Sequence, residues 1–316
     1  MGMAQLRVGV VGLGPIGLEV VRAILSRGEL RLVAAVDVSP ELVGRSLAEI
    51  VTGAPEDVKI AGTLDGALKD GTVEAVALTT TSRFAGIVAD LETAIKRRVH
   101  VASTCEEMAA PAIDAQTWAR LDDHARHADV TLLGTGVNPG FVMDRLPLQL
   151  AGACISVSRV RVDRVVDAAK RRGPLRKKVG EGITPAEFER GVAEKRMGHV
   201  GLRESALLIA RGLGWKLERY DETIEPVVGD DGKCLGIRQR GTGIVGGATK
   251  IELALDMYVG APNPHDRVQL EADPPMDVTI AGGTQGDRAT VGTTVNALAR
   301  MRSAPRGLVT VADVFA

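Results

Sequence analysis

Two groups of residues in this chain have types and spacings that could do chemistry. The first is the run Gly9-Val10-Val11-Gly12-Leu13-Gly14-Pro15-Ile16-Gly17, with a G-x-G-x-x-G pattern at Gly12, Gly14 and Gly17. Gly12 permits a tight turn, Gly14 lets the backbone approach a pyrophosphate, and Gly17 lets helix and strand pack closely. A helix opening at Pro15 and Ile16 aims free N–H groups and a positive dipole end at that phosphate. Asp37 stands 37 − 17 = 20 residues beyond the last glycine, where an acidic residue meets the adenosine ribose hydroxyls. Its carboxylate repels a 2′-phosphate, which favours NAD; Arg45 nearby keeps NADP open, although a solvated arginine is the simpler reading. The second group is Glu106-Glu107. A carboxylate can carry protons between reacting atoms and stabilise a developing cation. The same pair could instead open a helix, where acids suit the dipole.

These residues need elements to hold them. Apolar runs at 6–11, 30–38, 75–78, 99–102 and 130–134 alternate with helical patterns at 16–26, 40–51, 83–97 and 112–128. Continuous Val/Ala/Leu runs fit strands covered on both faces, and strand-helix alternation predicts βαβ units in a parallel sheet. The fold class is therefore α/β: a Rossmann dinucleotide-binding domain over 1–140, followed by an α+β mixed-sheet domain over 141–287. Residues 155–166 alternate as a half-exposed strand, 185–213 read as helical, and strands with Gly/Asp/Pro turns fill 223–280. The tail, helical at 293–301, is expected to return to the first domain as part of 288–316. On this reading Glu106 and Glu107 fall at the carboxyl edge of the parallel sheet, where open α/β sheets bind ligands. Thr79, Thr80 and Thr81 end their strand at the same edge, placed for contacts to a cofactor ribose.

Composition narrows the function classes. Lys plus Arg is 39 and Asp plus Glu is 40, for a net charge of −1. That balance provides no electrostatic footprint for nucleic acid or an anionic membrane. Cys105, Cys154 and Cys234 are widely spaced without a CxxC, which argues against a disulfide framework or a metal site. Residues 1–7 lack a basic-then-apolar leader, and no apolar run approaches the ~18 residues a membrane span needs. A soluble, cytoplasmic enzyme is the expectation.

Several later segments stand out together: Thr79-Thr80-Thr81-Ser82-Arg83, Ser103-Thr104-Cys105-Glu106-Glu107-Met108 with Pro111, and Gly134-Thr135-Gly136-Val137-Asn138-Pro139-Gly140-Phe141. Residues 161–172 with Asp167-Ala168, and Gly198-His199-Val200-Gly201-Leu202 with Glu204-Ser205, continue the series. In this order and spacing they resemble the 2,4-diaminopentanoate dehydrogenase family and the native amine dehydrogenases, within the dihydrodipicolinate-reductase-like dehydrogenases. True dihydrodipicolinate reductases carry a His-His pair and a lysine in a K-x-D-x-P-S-G-T loop. None of the five histidines here is adjacent to another, which disfavours that reaction.

The resemblance implies NAD(P)-dependent oxidative deamination of a primary amine and the reverse reductive amination of a ketone or aldehyde with ammonia. A diamino acid substrate is one alternative. A cyclic-imine or carbonyl reductase, which needs no ammonia, is another, and a non-catalytic dinucleotide sensor is a third. The resemblance places the catalytic carboxylate in the Cys-Glu-Glu segment, with Glu106 favoured over Glu107 and its pKa expected to rise on burial. Asn138 would bond the nicotinamide amide or order a loop. Phe141 would wall the substrate pocket or fill a hinge core. Arg161 and His199 are candidates for the pocket, His199 alternatively a packed structural histidine. Asp167 with Arg171 and Arg172 would form an ion-pair network, bind a substrate carboxylate or simply belong to a solvated loop. Cys105, without a basic neighbour in sequence, reads as packing. By analogy with related folds, the second-domain sheet is expected to form a homodimer interface.

Overall fold

Strand β1 (Leu6–Val11), with Val8 and Val10 fully buried, runs through the glycine loop into helix α1 (Pro15–Leu25). Then come β2 (Leu30–Val36), β3 (Ile60–Ala61), α2 (Leu64–Ala67), β4 (Ala75–Leu78) and α3 (Val88–Lys96). After β5 (His100–Ser103), α4 (Ala115–His127) and β6 (Thr131–Gly134) the first unit ends at residue 141. The second unit, 142–285, comprises α5 (Arg145–Ala151), β7 (Ser156–Asp167), α6 (Gly173–Lys178), α7 (Pro185–Ala193), α8 (Leu202–Gly212), β8 (Arg219–Val228), β9 (Cys234–Val245), β10 (Ala248–Tyr258), β11 (His265–Asp273) and β12 (Met276–Ala281). Residues 286–316 belong to the first unit again, as α9 (Gly286–Leu298), β13 (Gly307–Val309) and α10 (Val311–Val314). This computed structural model describes residues 4–110, 114–170 and 173–315; Pro111, Arg171 and Arg172 lie outside them.

The first unit is a seven-stranded sheet in the order β3-β2-β1-β4-β5-β6-β13, parallel at every pairing. All four residues of β4 are buried, as strands covered on both faces must be. Strands run outward to either side of the neighbours β1 and β4, so the topological switch lies between them. The glycine loop, Thr79–Ser82, Cys105–Met108 and Thr135–Gly140 follow β1, β4, β5 and β6 respectively, so all four leave the carboxyl edge. Asp114 caps α4 by accepting the Thr117 N–H at 2.9 Å.

The helix expected over 40–51 does not form; only a short 3₁₀ turn at Leu47–Glu49 does. Gly44, at φ +85°, donates its N–H to Ile60, and Leu47 donates to Val58. Arg45 accepts from Ile60, so pairing with a distant segment replaces the helical ladder.

The second unit is a six-stranded mixed sheet in the order β12-β11-β7-β10-β9-β8, with β7 and β10 parallel and the other pairs antiparallel. Its strands alternate: Val160, Val162 and Arg164 of β7 are buried on the inner face, while Arg159, Arg161 and Asp163 point outward. The helical stretch expected over 185–213 is two helices. Lys195 (φ +55°), Gly198 (φ +104°) and Gly201 (φ +123°) adopt left-handed backbone between them and end the ladder. Thr184 and Glu187 form a reciprocal capping box that starts α7. Among the described residues, no helix is long and apolar enough to cross a membrane.

Candidate active site

The glycine loop has two tight points and one open one. Gly12 sits at φ +88° and donates its N–H to Val36 at 2.8 Å. A Cβ on Gly17 would overlap the Gly12 carbonyl, so these two glycines serve the chain's own packing. Gly14 differs: a Cβ there would meet nothing within 4 Å. It is the N-cap of α1, followed by Pro15 at N1, and no side chain caps the helix. The space before the N–H groups of Ile16 and Gly17 is thus left to a ligand. Asp37 closes the other side. Its Oδ2 accepts the Leu13 N–H at 2.7 Å and its Oδ1 the Ser39 N–H at 2.8 Å, which fixes the carboxylate beside the loop. An open glycine, a free helix N-terminus and an oriented carboxylate together fit a dinucleotide.

The threonines after β4 divide their work. The Thr79 hydroxyl donates within the loop, reaching the Gly12 carbonyl at 2.8 Å and the Val11 carbonyl at 3.0 Å. Its proton is spent on shaping the cradle, which replaces the expectation of a ribose bond from that donor. The Thr80 methyl lies against Gly12. The Thr81 hydroxyl accepts the Arg83 N–H at 3.2 Å.

The two adjacent glutamates are in unlike environments. Glu107 is 6% exposed, and both of its carboxylate oxygens are taken. One receives the Arg83 guanidinium at 2.6 Å and the other the Phe84 N–H at 2.8 Å, tying the loop after β5 to the loop after β4. Glu106 is half-buried, and its carboxylate has no hydrogen bond or ion pair among the described residues. Both lie on a 3₁₀ turn, Glu106–Met108, pressed against the end of β6. A Cβ on Gly134 would come within 2.5 Å of the Met108 carbonyl oxygen and 2.8 Å of the Ala109 nitrogen. Only glycine lets the turn sit there. Cys105 is 1% exposed, and burial, with the charges of Glu106 and Glu107 also contributing, pushes its thiol up to about 12. Such a thiol is no nucleophile at neutral pH.

Past β6, Asn138 is buried and forms a cis peptide with Pro139, and Gly140 at φ +120° packs against the Gly136 backbone. Phe141, half-buried, ends the unit. The Thr135 hydroxyl, which the sequence reading passed over, is buried without a hydrogen-bond partner among the described residues. Its place at a strand's carboxyl end was the available signal.

In the second unit His199 and Arg161 do not meet. The His199 backbone is bonded to Gln239, a fully buried inner-face residue of β9. Arg161 is on the outer face, its side chain 54% exposed and paired with Asp163 at 2.9 Å. Strand alternation separates them. The inward arginine is Arg164, 3% exposed, facing Asp266 at 3.4 Å and donating to the Thr284 carbonyl at 2.8 Å. Stepping by two from Val160 and Val162 would have found it. Asp167 accepts the Ala169 and Gly260 N–H groups, each at 3.0 Å, and so braces its own loop. Beside Gln239, burial raises the Glu222 carboxyl above its ordinary value, and burial followed by the charges of Glu222 and Glu204 raises the Tyr220 hydroxyl.

A family model described as the 2,4-diaminopentanoate dehydrogenase C-terminal domain matches residues 141–316. The chain is 28% identical to 2,4-diaminopentanoate dehydrogenase of Acetoanaerobium sticklandii, over 99% of this chain and 94% of that protein. Its fold is similar to an amine dehydrogenase from Mycobacterium smegmatis (TM-score 0.84, 20% identity, 99% and 96% covered). It also resembles scyllo-inositol dehydrogenase from Lactobacillus casei, solved with bound NAD(H) (TM-score 0.62, 14% identity, 94% and 87% covered).

Proposed function

The chain belongs to the 2,4-diaminopentanoate dehydrogenase family, and on that premise we propose that it is an NAD-dependent amine dehydrogenase. It would convert a primary amine to a ketone or aldehyde and ammonia, and run the reverse reductive amination. The observation that carries this reading is the division of labour between Glu106 and Glu107. One carboxylate is spent on structure, and the other is left without a partner at the sheet edge onto which the glycine loop also opens.

Gly14, the N–H groups at the start of α1 and Asp37 would hold the dinucleotide, whose nicotinamide supplies hydride transfer when bound. The chain's own part is proton handling. As ammonia adds to the carbonyl carbon, Glu106 takes a proton from nitrogen and passes it to oxygen, forming a hydroxyl; a second proton, released by the ammonium ion that supplied the ammonia and relayed by Glu106 to that hydroxyl, lets it leave as water. Its negative charge then stabilises the iminium carbon–nitrogen bond that remains. Asn138 and Phe141, past β6 in the same unit, are the residues we assign to nicotinamide and substrate contact. NAD is preferred over NADP because a 2′-phosphate would meet the fixed Asp37 carboxylate, while Arg45 is already paired with Glu49 at 3.0 Å. Like charges brought together there cost on the order of 1 kcal/mol or more, so kcat/KM should favour NADH by about fivefold or more.

The test is NADH oxidation by the purified protein with a panel of small ketones and aldehydes, with and without ammonium. Ammonia-dependent turnover supports the reading. Turnover that ignores ammonium makes the protein an imine or carbonyl reductase, and tight NADH binding without turnover makes it a sensor. We also propose a homodimer through the outer face of the second unit's sheet. There Arg159 meets Glu252 at 2.8 Å and Arg240 meets Asp256 at 2.6 Å, in rows of alternating sign that suit a self-complementary two-fold contact. Sedimentation should give a dimer that Arg240→Glu weakens; a monomeric wild-type protein with full activity would exclude it.

A further inference from the structure

Two aliphatic side chains face water beside Asp37. Val38, the next residue, is 84% exposed, and Val43 is 41% exposed. Exposed aliphatics scattered singly need no explanation. These two are not scattered. Among the described residues four large hydrophobic side chains are exposed, and this pair falls within six residues of chain. Its neighbours Ser39, Pro40, Glu41, Gly44 and Arg45 are of polar or turn-forming type.

The fold brings both valines to Asp37, Val38 along the chain and Val43 across the end of β3. Asp37 donates its N–H to the Ala61 carbonyl at 3.1 Å. The residue after Ala61 is Gly62, and a Cβ there would meet both Val43 methyl groups at 3.5 Å. The turn between the valines is braced at each end. Asp37 Oδ1 accepts the Ser39 N–H at 2.8 Å, and the Ser39 carbonyl accepts the Leu42 and Val43 N–H groups at 3.0 and 3.1 Å. Gly44 then donates to the Ile60 carbonyl at 2.8 Å, so the pairing that replaces a helix here also fixes Val43.

What would cover the valines follows from Asp37. On the dinucleotide reading its carboxylate meets the adenosine ribose hydroxyls. The base is joined to the sugar carbon next to the one bearing the 2′-hydroxyl. A base whose ribose is held by Asp37 therefore rests on whatever adjoins that carboxylate. Adenine has two flat faces poor in hydrogen-bonding groups, which burial and dispersion suit to aliphatic carbon. Valine is stiff at χ1, so it offers that carbon in a fixed place. The nicotinamide belongs to the other half of the sheet, past β1, where the loops after β5 and β6 carry Glu106 and Asn138.

We propose that Val38 and Val43 form an apolar shelf on which the adenine of the dinucleotide rests. The proposal rests on the dinucleotide reading of the glycine loop, and the experiment separates the two. Val38→Ser, Val43→Ser and Val38→Ile are compared with wild type for the dissociation constants of NADH and of ADP-ribose, which carries the adenosine half without nicotinamide. Val228→Ser, at an exposed valine of the second unit, is the control. Each serine variant at the shelf should weaken NADH by about three- to tenfold, the worth of covering half a valine side chain. ADP-ribose should weaken by the same factor, because the contact lies wholly in the adenosine half. The melting temperature of the unliganded protein should not move, since neither side chain is buried before the ligand arrives. Val38→Ile keeps the apolar surface and should bind as wild type does. Wild-type affinity in both serine variants overturns the proposal and leaves the dinucleotide reading standing. So does a loss for NADH without one for ADP-ribose, or an equal loss in Val228→Ser or Val38→Ile. A wild-type protein that binds neither ligand overturns the dinucleotide reading, and the proposal with it.

Discussion

Glu106 and Glu107 are neighbours in sequence and should fail in opposite ways. Removing the Glu107 side chain as Glu107→Ala strands a buried Phe84 N–H, which costs roughly 1–3 kcal/mol. The lost ion pair adds little, because Arg83 is 51% exposed and such pairs contribute at most about 1 kcal/mol. A total of roughly 1–4 kcal/mol should lower Tm by about 2–10 °C in a chain of this size. Glu106→Gln breaks no hydrogen bond, so stability should stay within about 0.5 kcal/mol of wild type. Its effect belongs in the rate, a fall in kcat of about 10²- to 10⁴-fold, the usual worth of a positioned proton carrier. The assay pairs a thermal melt with steady-state NADH oxidation at saturating ammonium and carbonyl substrate. Glu107→Gln, which retains an acceptor for the Phe84 N–H, should sit between Glu107→Ala and wild type in Tm and keep most of its turnover. If Glu107→Gln melts normally and is inactive while Glu106→Gln turns over at full rate, the roles are reversed and the argument from free and occupied oxygens is wrong.

Two further outcomes follow from the same packing. Gly134→Ala drives a methyl into the Met108 and Ala109 backbone, at 2.5 and 2.8 Å, so the turn bearing Glu106 must shift; kcat should drop about 10- to 100-fold with KM for NADH little changed, and an unaltered kcat would mean that the turn does not set the carboxylate's place. His100 accepts the Thr131 N–H at 2.9 Å, and burial, with Arg306 nearby, lowers its pKa from 6.5 to about 4. The unfolded chain therefore binds this proton first. Stability from His100 is complete above pH 6.5 and is lost as pH falls towards 4, by roughly 3 kcal/mol, or about 2 after discounting for solvent at the ring edge. Denaturation between pH 7 and 4.5 should show that loss in wild type and a smaller one in His100→Asn; equal slopes would remove His100 as the cause.

How much of this was legible in the sequence depends on how far away the deciding partner lies. The dinucleotide loop was legible because its chemistry is local. Gly12 takes a left-handed turn, Gly17 makes room for the Gly12 carbonyl and Gly14 leaves the helix start open, while Asp37 directly follows the neighbouring strand. The 40–51 segment was not, because Leu42, Leu47, Ile50 and Val51 carry helical spacing while Ile60 and Val58 take the backbone bonds. Arg161 and Arg164 fall under a legible pattern: period-two alternation from Val162 assigns the first outward and the second inward.

The glutamate pair marks the limit more sharply. A three-residue 3₁₀ turn has no periodicity from which to tell one acid's direction from the next. What distinguishes them is a main-chain N–H 23 residues upstream, at Phe84, and a glycine at the end of β6 that lets the turn close over it. One partner lies in the loop after β4 and the other ends β6, and both come into place only once that sheet has formed. The carboxylate that satisfies Phe84 has both oxygens occupied by the fold, and its neighbour's are left open by the same packing. Adjacent identical residues can therefore carry different roles with no difference between them in sequence.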